Sequence, residues 1–279
     1  MQTDSIKNLD IDKLKSIAKQ IRIDIIKMLA EVGSGHPASA LGTTDIFTSL
    51  YFYILNHNSK NPSWAGRDYF LLSNGHICPV LYATLARAGY FSLDELKTLR
   101  QLNSRLQGHP HFGSLPGVEN TSGSLGQGLS LAAGLAYALK LDQKQNYVYC
   151  SLSDAETQEG QTLEALMFAH KYKLDNLIAF IDRNKIQIEG PTSKIMPLEP
   201  YAAKFKSFGW RVFETNGHNF IDIIETFHQA KQIKNMASLI IFNTVAGKGV
   251  DFMEKDHRWH GKVPNQEETK LAIEQLAAF

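Results

Sequence analysis

The chain has only two cysteines among its 279 residues, Cys78 and Cys150. Two cannot build a disulfide framework, and Cys150 falls inside an apolar strand pattern where a small buried thiol is expected, so a reducing compartment fits. Long hydrophobic runs are also missing: no apolar stretch approaches the roughly 20 residues of a membrane span. The opening stretch from Met1 to Lys15 is polar and charged and lacks the apolar core of a signal peptide. A soluble, cytoplasmic protein without membrane attachment is expected. Charge of one sign is absent as well, since 29 basic and 28 acidic residues leave +1. That balance gives no overall field favouring nucleic acid or an anionic surface, so any anion must be bound locally. No internal repeat and no Pro- or Ser-rich linker divides the sequence, and its 43% apolar content can bury a substantial core. Residues 1–279 are read as one domain.

What is present begins with helices. Leu14, Ile17, Ala18, Ile21, Ile25, Met28, Leu29 and Val32 recur at helical spacing, predicting an amphipathic helix from Asp12 to Val32 that Gly33-Ser34-Gly35 ends. Thr43-Thr44-Asp45 offers an N-cap to a second helix running to Leu55, and Ser92-Leu93-Asp94-Glu95 reads as a capping box for a third. Tyr69 to Leu72 reads as a short strand. From residue 123 onward strands and helices alternate: a helix over Leu129 to Leu141, a strand from Tyr147 to Leu152, a helix over Gly160 to Tyr172, and a strand from Leu177 to Ile181. Arg211 to Glu214 and Leu239 to Val245 follow as strands around a helix from Asn219 to Lys231, and a helix from Gln266 to Ala278 closes the chain. Such alternation implies βαβ crossovers, hence an α/β fold with a parallel sheet and helices on both faces. Ligands of such sheets sit beyond the carboxyl ends of the strands.

Two of those strand ends carry hard oxygen ligands. Ser151-Leu152-Ser153-Asp154-Ala155-Glu156-Thr157-Gln158-Glu159-Gly160 delivers a carboxylate, and Ile181-Asp182-Arg183-Asn184-Lys185-Ile186-Gln187-Ile188-Glu189-Gly190 delivers an amide oxygen. These groups suit Mg²⁺ or Ca²⁺, and Mg²⁺ is usually held by one or two protein oxygens together with phosphate oxygens. A diphosphate cofactor is implied. The spacing from Asp154 to Asn184, with Ile186 two residues on, resembles the thiamin-diphosphate motif, and Glu159-Gly160, Asp182-x-Asn184 and Gln187-x-x-Gly190 resemble the transketolase family. The resemblance implies a thiamin-diphosphate-binding fold whose metal is held by Asp154, Asn184 and the Ile186 carbonyl. It implies cofactor contacts from Gly123, Ser124, Leu125, Ser153, Asp154, Ala155, Glu156, Asn184 and Ile188. Magnesium is the expected ion, with calcium a possible substitute.

Thr121-Ser122-Gly123-Ser124-Leu125-Gly126-Gln127-Gly128 precedes a helix, and glycines there let backbone N–H groups approach an anion. Four of the ten histidines stand in Gly- or Pro-flanked turns: Gly35-His36-Pro37, Gly75-His76, Gly108-His109-Pro110 and Trp259-His260-Gly261. Imidazoles exchange protons near neutral pH and hydrogen-bond sugar hydroxyls, which carbon–carbon cleavage between polyol carbons requires. Each of the four falls on a histidine of the transketolase pattern, and His36, His76, His109, His260 and Glu159 are the implied catalytic residues. His111, His170, His218 and His257 match no catalytic position. A zinc site is the competing reading of the histidines, and it lacks both the short i, i+4 helical spacing and an accompanying cysteine pair.

The resemblance runs from His36 to Gly261, with Gly247-Lys248-Gly249-Val250 and Met253-Glu254 as late matches, and it covers half of a transketolase. The pyrimidine-binding and C-terminal domains are absent and expected on a separate chain, which points to the N-terminal subunit of a split transketolase in a heterotetramer of two plus two chains. Such an enzyme moves a two-carbon ketol unit from a ketose phosphate to an aldose phosphate. The isolated chain is expected to be inactive, because the glutamate that activates the cofactor belongs to the missing half. Two departures stand out. Ser153-Asp154-Ala155 replaces the family's Gly-Asp-Gly, tolerable only if Ala155 keeps a negative φ. Asn74 stands where the family often has Lys or Arg. The alternatives are a non-catalytic cofactor-binding or regulatory subunit, and a related thiamin enzyme acting on another sugar or dihydroxyacetone.

Overall fold

The computed structural model describes residues 10–279; the polar start of the chain up to residue 9 lies outside the described residues. Five strands, β1 (Tyr69–Leu72), β2 (Val148–Ser153), β3 (Leu177–Arg183), β6 (Arg211–Asn216) and β7 (Ser238–Asn243), form a parallel sheet in the order β1-β2-β3-β7-β6. A two-stranded antiparallel ribbon, β4 (Ile186–Gln187) with β5 (Gly190–Pro191), projects just after β3. Every residue of β2 and β3 is buried, which is why they read as continuous apolar runs rather than alternating ones. Their side chains nonetheless divide by parity. Phe70, Leu72, Tyr149, Ile178, Phe180, Ile240 and Phe242 join one core, and Leu71, Val148, Cys150, Leu152, Ala179, Ile181, Leu239 and Ile241 join the other.

On the first face pack α1 (Ile11–Val32), α3 (Thr44–Ser49), α4 (Cys78–Arg87), α9 (Phe220–Lys231) and α10 (Gln266–Ala278). On the second lie α5 (Gln127–Leu141), α6 (Gly160–Lys171) and α8 (Tyr201–Ser207). A single helical turn, α7 (Thr192–Ile195), follows the ribbon directly. The predicted first helix holds, capped by the Asp10 side chain on Lys13 N–H at 2.9 Å and ended by Gly33 at φ 67°. Left-handed backbone there closes the helix without a Cβ clash.

Three helix expectations need correction. Thr43 occupies the N-cap position of α3, but its side chain makes no capping hydrogen bond. A short α2 (Pro37–Gly42) already starts at the His36-Pro37 turn, and the Thr43 and Thr44 hydroxyls donate backwards to the Ser39 and Ala40 carbonyls at 2.8 and 3.0 Å. After α3 the chain passes into a π-helical turn, Leu50–Ile54. Ser92 opens only a 3₁₀ turn, Leu93–Thr98, because Glu95 pairs with Arg105 at 2.7 Å instead of closing the box. The capping box is at Asn265 and Glu268, before α10. Unforeseen by periodicity, α4 is buried almost all round, so its sequence has no polar face to announce it.

Candidate cofactor and histidine site

Parallel register sets Ser153 of β2 beside Asp182 of β3. The residues just beyond, Asp154 and Asn184, therefore emerge from adjacent strand ends. Asp154 accepts the Ala155 N–H through Oδ1 and the Lys185 N–H through Oδ2, both at 2.8 Å. Asn184 donates to Asp182 Oδ2 at 2.7 Å and to Ser39 Oγ at 3.2 Å, while its Oδ1 accepts the Ile186 N–H at 2.9 Å. Those donations fix which end of the amide presents oxygen. Thr244, at the end of β7, donates to the other Asp182 oxygen. Burial pushes the Asp154 carboxyl up to about 6 and the Asp182 carboxyl up to about 7, the latter also raised by Asp154 beside it. Two neighbouring buried carboxylates and an oriented amide oxygen are a donor set that fits a hard divalent cation, whose charge would offset that burial. Among the described residues no group of three or more His, Cys, Asp or Glu is placed to hold a metal, so phosphate oxygens would have to complete the shell.

Ala155 lies within the 3₁₀ turn Ala155–Gln158 and has no positive φ. Its methyl group carries no backbone strain there.

The glycine-rich turn does something other than the sequence suggests. Gly126 N–H donates to Glu156 Oε1 at 2.8 Å and Gly128 N–H to Ser73 Oγ at 3.0 Å, while Ser73 Oγ donates to the same Glu156 carboxylate. Ser153 N–H donates to Glu156 Oε2 at 3.1 Å. The anion cradled by this helix start is thus the buried Glu156 side chain. A cofactor contact from Glu156 would have to come from its main chain. Glycine is needed because a Cβ on Gly128 would run into Ser73, and one on Gly126 would stand 2.7 Å from Glu159 Cβ. Gly123 and Ser124 remain exposed ahead of this knot, Leu125 half-buried, and Glu159 exposed at the N-cap of α6.

Three histidines converge from turns far apart in sequence. Ring centroids of His36 and His76, and of His36 and His260, are 5.3 Å apart, and those of His76 and His260 5.5 Å. His109 is not in ring contact with them and stands against the Gly-rich turn, 3.5 Å from where a Gly123 Cβ would be. Burial, then the charges of its neighbours including His260 and Arg100, lowers His36 to about 4. Burial with His36 and His260 lowers His76 to about 3. Burial lowers His260, and burial with Arg100 lowers His109. All four are neutral at pH 7, each ring offering one donor and one acceptor nitrogen.

His36 and His260 line an open cleft of ≈ 560 Å³ together with Ile188. Ile188 sits at the tip of the β4–β5 ribbon, 64% exposed, with φ 44°. Left-handed backbone at a β-branched residue is costly, and such strain gathers at functional sites. Beside the cleft, His36 Nδ1, Ser122 Oγ and both amide atoms of fully buried Asn74 have no protein partner among the described residues. Orphaned buried polar atoms call for a ligand or bound water.

A family model described as transketolase, thiamine diphosphate binding domain, matches residues 13–278. The chain belongs to the transketolase family. It is 40% identical over 263 residues to a 6-deoxy-6-sulfo-D-fructose transketolase subunit from Clostridium sp. (strain MSTE9), covering 94% of this chain and 96% of that protein. It is 38% identical to one of the subunits of the apulose-4-phosphate transketolase of Actinobacillus succinogenes, covering 96% and 98%. The crystal structure of Campylobacter jejuni transketolase matches with a TM-score of 0.92 at 37% identity, over 96% of this chain and 43% of that one. This transketolase chain therefore spans less than half of the solved enzyme and nearly all of the two relatives named as subunits. Its fold is the α/β diphosphate-binding domain of that family.

Among the described residues of this transketolase domain, no helix is long and apolar enough to cross a membrane. Sequence reading missed Ser39, Ser73 and Thr244, which orient Asn184, Glu156 and Asp182. None carries a local signal, since hydroxyl residues at strand ends and in short helices are common. Arg100, which donates to Ser34 Oγ at 2.7 Å and approaches the Gly108 carbonyl at 3.4 Å, was likewise missed. It ties the two turns that bear His36 and His109.

Proposed function

We propose that this chain is the half of a two-chain transketolase that holds thiamin diphosphate and its divalent metal, and that a complementary chain supplies the pyrimidine-binding half. The observation that carries this reading is the triangle of His36, His76 and His260, three neutral rings within 5.5 Å of one another. A polyol with several hydroxyls to bind and protons to move suits such a cluster better than a one-hydroxyl substrate. Asp154, Asn184 and the Ile186 carbonyl would hold Mg²⁺ and through it the diphosphate. Leu125 and Ile188 would flank the thiazolium ring. The cofactor, when bound, supplies the carbanion chemistry that accepts and releases a two-carbon ketol unit. His36, His76, His109 and His260 would accept hydrogen bonds from the sugar hydroxyls and hold or pass their protons, and Glu159 would bond toward the complementary chain. The nearby relatives act, by their names, on a sulfonated fructose and on apulose 4-phosphate, so a sugar with a terminal anionic group is the expected substrate class.

The test is ketol transfer from xylulose 5-phosphate to ribose 5-phosphate, with thiamin diphosphate and Mg²⁺, by the chain alone and by the chain co-purified with its complementary half. Activity in the pair alone supports the reading, and a pair that binds cofactor but ignores this donor redirects the search to sulfonated and branched sugars. A pair that does not bind the cofactor refutes it.

A further inference from the structure

Arg183 stands between Asp182 and Asn184, yet its guanidinium takes no part in their hydrogen bonds. It lies 3.8 Å over the Tyr201 ring and is paired through Nη2 with Glu199, whose other oxygen accepts the Tyr201 N–H at 2.8 Å. Arg183 is 6% and Tyr201 4% exposed while the Glu199 side chain is 66% exposed, so the stacked pair that joins α8 to the end of β3 is buried and its carboxylate partner faces solvent. The Tyr201 hydroxyl lies 3.2 Å from Thr157 Oγ1, and that Oγ1 donates its own proton to the Asp154 carbonyl at 2.6 Å. With the threonine proton so engaged, the tyrosine is the donor. A continuous run therefore leads from the residue before Asn184, over an aromatic face, through two hydroxyls, to the backbone of Asp154. It joins the two ligand-bearing loops by a route separate from the Lys185 N–H contact to Asp154.

We propose that Arg183 and Tyr201 are positioning residues that set the separation of the Asp154 and Asn184 loops, and thereby the affinity for the divalent cation. This rests on the metal assignment made under the proposed function. Buried groups behind a ligand commonly tune metal affinity by 10-fold or more when removed, because they fix ligand orientation before the ion arrives. Arginine suits the post: its planar group stacks on the ring while its edge pairs with a carboxylate, a combination lysine cannot reproduce.

The experiment is calorimetric titration of Mg²⁺, at saturating thiamin diphosphate, into the chain assembled with its complementary half. Arg183→Met is expected to raise the Mg²⁺ Kd about 10-fold. Tyr201→Phe, which keeps the ring under the guanidinium and removes only the hydroxyl, is expected to raise it about 3-fold, as one modest hydrogen bond would. Arg183→Lys should recover part of the loss, and the double variant should be no weaker than Arg183→Met alone, since both interrupt one run. Thermal unfolding of the metal-free protein is the control. A lowered midpoint with wild-type Mg²⁺ affinity would make the run purely structural and overturn the proposal, as would additive losses in the double variant. Failure of the wild-type complex to bind Mg²⁺ would instead remove the metal assignment itself, a different outcome readily told apart.

Discussion

Asp154 shows at a single residue how folding and function pull in opposite directions. Its carboxyl is 1% exposed and raised to about 6, since burial outweighs two N–H bonds and the Arg183 charge. Asp154→Ala should abolish Mg²⁺-dependent binding of thiamin diphosphate, read by calorimetry, while leaving the metal-free protein folded. Unchanged binding would mean the metal lies elsewhere. At the next residue, Ala155→Gly should leave cofactor affinity equal or better, because the native turn asks for no left-handed backbone and the methyl is merely tolerated; a marked loss would show the loop to be misread. The histidines set the acid limb of stability. His76 binds its proton near pH 3 when folded but near 6.5 when unfolded, so between those values the unfolded chain takes up more protons. Stability is then fully present above 6.5 and lost as pH falls through that window. The raised carboxyls of Asp154 and Asp182 act oppositely, their contribution declining as pH rises from 3.8 toward 6 and 7. Urea unfolding of His76→Asn at pH 5 and pH 8 isolates the first effect. Stability at pH 8 minus stability at pH 5 should be smaller in the variant than in the wild type, because the carboxyl contribution is common to both.

Among the elements, the start of α5 is where sequence and structure part most clearly. A Gly-rich turn before a helix suggests an anion cradle, and one exists, but the anion is Glu156 of the same chain. That glutamate closes a knot joining β1 through Ser73, α5 through Gly126 and β2 through Ser153. Glu156→Leu leaves two buried N–H groups and a hydroxyl unpaired, and should cost about 3 kcal/mol in urea denaturation. A value under about 0.5 kcal/mol would show that water replaces the carboxylate. Elsewhere the strands and the long helices were legible because their periodicity is unambiguous: β1, β2, β3, α1, α6 and α10 fall within two residues of expectation. The helices that sequence reading did not find, α2, α4, α7 and α8, are short or buried all round, conditions in which a polar face cannot mark them. His218 has a role at this scale too. It accepts the Val245 N–H at Nε2 and donates from Nδ1 to Asp45, which also pairs bidentately with Arg22. That buried clamp fastens the loop after β7 to α1 and α3.

For the whole molecule the main expectation concerns what this chain does alone. Its described residues supply the proposed metal ligands Asp154 and Asn184, the histidine triangle of His36, His76 and His260, and the ribbon tip at Ile188, and on the two-chain proposal the glutamate that activates the cofactor comes from the complementary half. The purified chain should show no ketol transfer above background, and adding the complementary half should restore it by orders of magnitude; robust activity of the chain by itself would overturn the two-chain reading. By itself the sequence determined the α/β class, the two strand ends bearing Asp154 and Asn184, and the four histidine turns, because strand periodicity and turn chemistry are local properties. Only the tertiary structure decided that His36, His76 and His260 touch while His109 stands apart, and that Glu156 faces inward. It alone also decided that Arg183 stacks over Tyr201 and that the Tyr201 hydroxyl meets Thr157 beside the Asp154 carbonyl. Those outcomes depend on which strands neighbour one another and on which buried polar groups find partners, and contacts between residues far apart in the chain leave no periodic trace in it.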